Sequence, residues 1–200
     1  MTMRRIVVVM QTTLNNKIAK GFGVFWEPFP WGEPEQAWLN ATFRSADTWA
    51  LSRVMYEAII PWWDQVAAGE TPSDVDEAHP LHPADIEFAA IQKNLLKVVF
   101  SASLGPSPAR RVISGDLVGQ LQAMKAEEGR DIILSCGPRT LAPLAAAPGL
   151  IDQYVVAIHP AVIGGLGMFE GLETDLRLEL LESKVFDGGA VALRYGVQST

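Results

Sequence analysis

The stretch that decides the fold runs Asp131-Ile132-Ile133-Leu134-Ser135-Cys136-Gly137-Pro138-Arg139-Thr140-Leu141. A short apolar run ends in Ser-Cys-Gly-Pro and passes directly into a helical pattern that continues to Ala147. This pattern describes a buried strand feeding a helix through a tight turn. Such a junction aims backbone N–H groups and the positive end of a helix dipole at one spot, which suits a phosphate. The same junction also occurs in α/β proteins with no ligand there, so the turn alone leaves both readings open. Cys136, the single cysteine, excludes an internal disulfide. Beside a helix start its thiol is either reactive or a small apolar filler.

Outward from that junction, strand and helix patterns alternate. Residues 5–10, Arg5 followed by the apolar and largely β-branched Ile6 to Met10, are expected to form a strand buried on both faces. Asn15-Asn16 marks a turn, and residues 21–32 form an aromatic, Pro-rich loop with Phe22, Phe25, Trp26, Phe29 and Trp31. Those rings either line a pocket for a flat ligand or anchor a long loop to the core. Glu33-Pro34-Glu35 opens a helix well, with Pro early and acids in the first turn. A short strand over 47–51 leads to Ser52, the expected cap of a helix over 53–66, which Pro61 is expected to kink or end early. Residues 67–83 are rich in Pro and acids and read as a surface loop, and its histidines, His79 and His82, read as solvated and not as metal ligands.

A helix over 84–93, a strand over 97–101, a small strand over 111–113 and a helix over 116–128 follow. After the opening junction come a strand through Ile158, Pro160 and the Gly-rich Gly164-Gly165-Leu166-Gly167. Two long antiparallel strands, 175–185 and 190–197, close the chain around Asp187-Gly188-Gly189. The expectation is a three-layer α/β/α domain over 1–200, a mostly parallel sheet with an antiparallel C-terminal hairpin. Ligands of such sheets bind beyond the carboxyl ends of the strands. Asn15, Ser52, Ser101, Gly137 and Gly164 each follow a predicted strand and so are expected to face one cleft.

The bulk chemistry excludes several partners. Two hundred residues, 48% of them hydrophobic, suffice for a sizeable core. A net charge of −7 with no long basic run argues against nucleic acid, and no apolar run approaches the roughly 20 residues of a membrane span. The start, Met1 to Met10, reads as a first strand and not as a signal peptide. A cytoplasmic protein is expected. There is no Gly-x-Ser-x-Gly elbow, and nothing pairs Cys136 with His159 as nucleophile and base.

Six segments in this order resemble the dihydrofolate reductase superfamily, specifically the branch of the riboflavin-biosynthesis reductase C-terminal domain. They are Thr13-Leu14-Asn15-Asn16-Lys17-Ile18-Ala19; Leu51-Ser52-Arg53-Val54-Met55-Tyr56-Glu57 with Trp62-Trp63; the strand Lys97 to Ser101; Gly137-Pro138-Arg139-Thr140-Leu141; Gly149-Leu150-Ile151-Asp152-Gln153; and Pro160 to Gly165 with Phe169 and the Tyr195 strand. The resemblance implies NADPH, with NADH possible, lying across the strand ends. Its pyrophosphate would meet Ser52, Arg53 and the turn of Gly137, Pro138, Arg139 and Thr140. The adenosine would lie near Ser101, and the nicotinamide near Ala19, Gly164 and Gly165. Asn15, Asn16, Trp26 and Trp31 would stand on the side of a small heterocyclic substrate, pterin-like or pyrimidine-like. Relatives pair as homodimers through edge strands, so a homodimer is implied too.

The chain departs from the family pattern at Asn15, Ser52, Met55, Ala102 and Pro138. These departures favour a second reading, a non-catalytic or regulatory nucleotide-binding protein on the same fold. No motif assigns the proton donor; Glu33, Glu35 and Asp47 are candidate acids.

Overall fold

The computed structural model describes residues 4–20, 29, 31–77 and 80–198. Its centre is strand β1 (Ile6–Thr13), which pairs in parallel with β6 (Asp131–Ser135) on one side and β7 (Gln153–His159) on the other. Strands β3 (Ala46–Ser52), β4 (Leu96–Phe100) and β5 (Arg111–Ile113) extend the parallel sheet beyond β6. Beyond β7 the hairpin strands β10 (Val191–Val197) and β9 (Leu178–Val185) add antiparallel edges, giving the order β5-β4-β3-β6-β1-β7-β10-β9. A second, two-stranded sheet joins β2 (Lys17–Ala19) to β8 (Leu166–Gly167).

Parallel neighbours need crossovers; helices supply them here except between β4 and β5, which the loop 101–110 joins. Strand alternation divides the core in two. Ile6, Val8 and Met10 face helices α4 (Leu117–Ala126) and α5 (Pro138–Ala145), where Leu121, Met124, Leu141 and Leu144 meet them. Val7 and Val9 face α1 (Glu33–Arg44), α2 (Arg53–Ala67) and α3 (Pro83–Lys93), through Leu39, Phe43, Ile59, Trp63 and Phe88. The three layers and the continuous burial of β1 are as the apolar run anticipates.

The segment order also holds at its junctions. Ser52 caps α2, its Oγ accepting from the Met55 N–H at 3.4 Å, and Asp116 caps α4 through the Gly119 N–H at 2.9 Å. Pro61 corrects an expectation: α2 runs through it to Ala67. Pro61 is exposed, while Ile59, Ile60, Trp63 and Val66 are buried on the other side. Packing of four apolar side chains at about 1.5–3 kcal/mol each outweighs the roughly 3 kcal/mol cost of an interior proline. Within the Pro- and acid-rich loop, Asp74 accepts from the Trp62 indole at 2.7 Å, and His82 begins α3, its backbone N–H donating to Asp85 at 2.9 Å. His79 lies outside the described residues.

The amino-terminal edge of the sheet is held by charge. The buried Arg4 guanidinium bonds Asp47, the Thr48 hydroxyl at 2.7 Å and the Arg130 carbonyl at 2.8 Å. Arg5 pairs with Asp131 at 2.6 Å, and the Lys125 ammonium reaches Asp152 at 2.7 Å. Asp47 is therefore a structural partner at the far end of the strands from their carboxyl tips, and it is removed from the candidate proton donors. Replacing Arg4 by Met takes the charged donor from Asp47, which keeps the Thr48 hydroxyl and the Arg130 N–H, and removes the Arg4 bond to the Arg130 carbonyl. We expect a loss of roughly 3 kcal/mol, the low end for a buried pair because Asp47 is one-third exposed. The shift of the urea midpoint measures it, and an unchanged midpoint contradicts the role of this cluster.

Candidate functional site

The carboxyl tips of β1, β3, β4, β6 and β7 share one edge, because all five strands are parallel and the register pairs Thr13 with His159, Leu51 with Ser135 and Ser52 with Phe100. Strands β3 and β6 are neighbours, about 4.8 Å apart by sheet geometry. The turns that leave them, Ser52-Arg53 into α2 and Gly137-Pro138 into α5, are thus side by side, one rising on each face.

Each turn offers donors. The first amides of a helix have no acceptor within it, and α2 begins with Arg53, whose guanidinium is exposed and, among the described residues, pairs with Glu57 alone at 2.8 Å. Gly137 stands at the start of α5 in extended conformation, and a Cβ there would meet nothing within 4 Å, so the turn opens on free space. Pro138 is buried and brings no N–H, and the Thr140 N–H already donates to the Gly137 carbonyl at 3.1 Å. Arg139 is exposed and has no acceptor among the described residues. At the end of β4 the Ser101 Oγ accepts from the N–H groups of Ser103 and Leu104 at 3.2 and 2.9 Å, which folds the following loop.

At the other end of the edge the small β2–β8 sheet brings Ala19 against Gly165. Gly165 has φ +123°, and a Cβ on it would run into the Ala19 carbonyl, so glycine is required there on both counts. At Gly164 a Cβ would meet nothing within 4 Å. Asn15 ties this corner together: its Nδ2 donates to the Ile163 carbonyl at 2.8 Å, and its Oδ1 accepts from the Thr13 hydroxyl at 2.7 Å. Asn16 takes the left-handed conformation, φ 62°, and its carbonyl accepts from the Met168 N–H at 3.0 Å. Both asparagines are exposed. Trp26 lies outside the described residues. Trp31 bonds through its indole N–H to Gln36 at 2.8 Å.

Two features had no motif to announce them. One is the β2–β8 pairing, built from strands of three and two residues. The other is His159, fully buried at the tip of β7, with its ring 5.0 Å from Phe29 and 5.5 Å from Trp31, and its Nε2 3.0 Å from Gln11 Oε1. Its Nδ1 is buried without a partner among the described residues. The signal for it was available as two polar residues, Gln11 and His159, each near the carboxyl end of an apolar strand. Cys136 settles differently: it is buried among the core side chains, and burial pushes its thiol up to about 12, so it is a filler and not a nucleophile.

Burial lowers the His159 pKa to about 4. The unfolded chain, with His near 6.5, therefore binds more protons between pH 4 and 6.5, and stability must rise with pH across that window and be complete above it. The contribution is roughly 3 kcal/mol by the linkage relation. We expect His159→Phe to remove this part of the acid dependence, read as the wild-type minus variant difference in urea midpoints at pH 4.5 and 7.5. Parallel pH profiles would contradict it.

Residues 4–192 match the model of the RibD C-terminal domain. An uncharacterized protein of Bacillus subtilis strain 168, YyaP, is 26% identical over 101 residues, 50% of this chain and 53% of that protein, so the match spans about half the length of that relative. A putative riboflavin biosynthesis protein from Shewanella sp. PV-4 superposes with TM-score 0.67 at 17% identity, covering 97% of this chain and 99% of that one. The dihydrofolate reductase of Enterococcus faecalis, solved with NADP(H) and RAB-propyl, superposes with TM-score 0.61 at 14% identity, covering 98% and 97%. The fold is that of dihydrofolate reductase, and the chain belongs to the RibD C-terminal domain family.

Proposed function

We propose that this chain is a reductase of a small flat heterocycle, pterin-like or pyrimidine-like, that draws its hydride from NADPH, with NADH the alternative donor. The observation that carries this reading is the side-by-side placement of the Ser52-Arg53 and Gly137-Thr140 turns, with unspent donors, at one edge of a parallel sheet. The residues suit a dinucleotide: the space above Gly137 is open, and among the described residues Arg139 lacks an acceptor and Arg53 is engaged only by the exposed Glu57. In this reading the pyrophosphate meets Ser52, Arg53, Gly137, Arg139 and Thr140, the adenosine points toward Ser101, and the nicotinamide toward Ala19, Gly164 and Gly165. NADPH supplies the hydride when bound; the protein's share is to orient an acceptor ring against it and keep water away. Asn15, Asn16 and Trp31 stand on the acceptor's side. A cytoplasmic setting belongs to the same reading; among the described residues no helix is long and apolar enough to cross a membrane.

A second reading, nucleotide binding without turnover, draws on Pro138, which removes one amide from the phosphate turn, and on Asn15, whose amide is spent on Ile163. The reading also includes a homodimer. All eight residues of β9 are exposed, among them Leu178, Leu180, Leu181 and Val185, and an open edge of this kind is self-complementary across a two-fold axis. Sedimentation is expected to give twice the chain mass and Leu180→Arg to give the monomer; a wild-type monomer contradicts the pairing.

Excess NADPH at 100 times its Kd is expected to add about 2.7 kcal/mol to stability. Arg139→Ala should then weaken NADPH by roughly 1–3 kcal/mol. Thermal unfolding with and without nucleotide measures both. If neither NADPH nor NADH moves the midpoint, the reductase reading fails. If NADPH binds but no pterin or pyrimidine drives its oxidation, the second reading stands.

A further inference from the structure

Three side chains of α1, Gln36, Asn40 and Arg44, stand four residues apart and so share one face of the helix. Gln36 and Asn40 are 3% and 0% exposed, although an amide is costly to bury unless it is hydrogen-bonded. Both are bonded, in one continuous chain. The Trp31 indole N–H donates to Gln36 Oε1 at 2.8 Å, and Gln36 Nε2 donates to Asn40 Oδ1 at 2.8 Å. Asn40 Nδ2 then donates to the Ala84 carbonyl at 2.9 Å and to Glu87 Oε2 at 3.1 Å, both on α3. Arg44 closes the far end, its Nε donating to Glu87 Oε1 at 3.2 Å.

The chain can run in one direction alone. An indole donates and cannot accept, so Gln36 must turn its oxygen to Trp31 and its amino group to Asn40. Asn40 must then present its oxygen to Gln36 and its N–H groups to α3, where a carbonyl and a carboxylate wait, both of them acceptors. A donor at one end and acceptors at the other leave neither amide a second orientation. Packing of α1 on α3 does not require this: Leu39, Phe43 and Phe88 join the two helices through apolar contact beside it. What the amides add is a fixed direction for the Trp31 indole.

Trp31 lies ahead of the first turn of α1, so no helical hydrogen bond holds its ring in place. The ring packs 5.5 Å from His159 and forms part of the wall of a cavity of about 560 Å³ between α1 and the β9–β10 hairpin. That cavity lies at the carboxyl end of the sheet, because β10 leaves the hairpin beside the end of β7, Val191 opposite Ile158. We infer that Gln36 and Asn40 are positioning residues of this cavity, which hold the Trp31 indole at one angle so that a flat ring can stack on it. Asn40 is not part of the cavity wall and acts through Gln36 and Trp31, with α3 as its anchor. The inference rests on the reductase reading for the occupant, the flat acceptor ring, and not for the chain itself.

The test reads the indole N–H resonances of the isotope-labelled full chain, with Trp31→Phe and Trp62→Phe assigning their own signals. Asn40→Ala is expected to move the Trp31 signal and to speed exchange of its proton with solvent at least about fivefold, the effect of losing one buried hydrogen bond. The Trp62 signal, whose indole bonds Asp74, should stay in place. Calorimetry with pterin and with uracil, and thermal shift with NADPH, are read on the same proteins. The ring that binds wild type more tightly should bind the variant at least about fivefold more weakly, with the NADPH shift unchanged. Gln36→Leu joined to Asn40→Leu separates positioning from folding, and serves alone if Asn40→Ala does not fold. Replacing both partners by apolar groups of similar shape is nearly neutral for stability, so the double variant should keep the wild-type midpoint and still show the altered Trp31 signal and ring affinity. An unmoved Trp31 signal, or ring affinity that survives the double substitution, overturns the inference even when NADPH still shifts the midpoint. If neither ring binds wild type, the reductase reading fails instead, and the Trp31 signal by itself upholds or overturns the positioning role.

Discussion

The structure depends on the parallel pairing of β1 with both β6 and β7. A parallel ladder cannot close through a tight turn, so each neighbour must be reached by a crossover, and each crossover starts at the same edge. That one constraint sets Thr13, Ser52, Ser101, Gly137 and His159 along one edge of the sheet although they are far apart in sequence. It also makes β1 bury both faces, which its run of Ile, Val and Met side chains allows and a polar-alternating strand would not.

The two ends of the sheet differ in chemistry. At the amino-terminal end, ion pairs satisfy one another: Arg4 with Asp47, Arg5 with Asp131, Lys125 with Asp152. At the carboxyl end the buried His159 Nδ1 has no partner and the exposed Arg139 no acceptor among the described residues. Gln92 Oε1 and the Tyr154 hydroxyl, buried nearer the amino-terminal end, are unpartnered as well. What sets the carboxyl edge apart is the row of strand-to-helix turns that opens there, the usual place of a ligand in a parallel sheet.

Much of this was legible beforehand, for local reasons. The junction at 131–141, the Ser52 cap and the Asp187-Gly188-Gly189 turn each carry their signal within a few residues. What escaped was decided by distant contacts. The β2–β8 pair is too short to show a period, and only the approach of Gly165 to Ala19 defines it. Pro61 looked like a helix end because propensity is local, whereas the burial of Trp63 and Val66 is not. Asp47 looked like a free acid until the register put it at the end where Arg4 waits. His159 gained its surroundings from Phe29 and Trp31, more than a hundred residues earlier, which no reading of its neighbours supplies.

The central claim, that the carboxyl edge is a dinucleotide site of the RibD C-terminal domain kind, is tested most directly by a crystal structure of the chain grown with NADPH. The account predicts the pyrophosphate between the Ser52-Arg53 and Gly137-Thr140 turns, with Arg139 on a phosphate oxygen and the nicotinamide beside Ala19 and Gly165. A nucleotide bound elsewhere on the chain, with these turns empty at saturating NADPH, would contradict it.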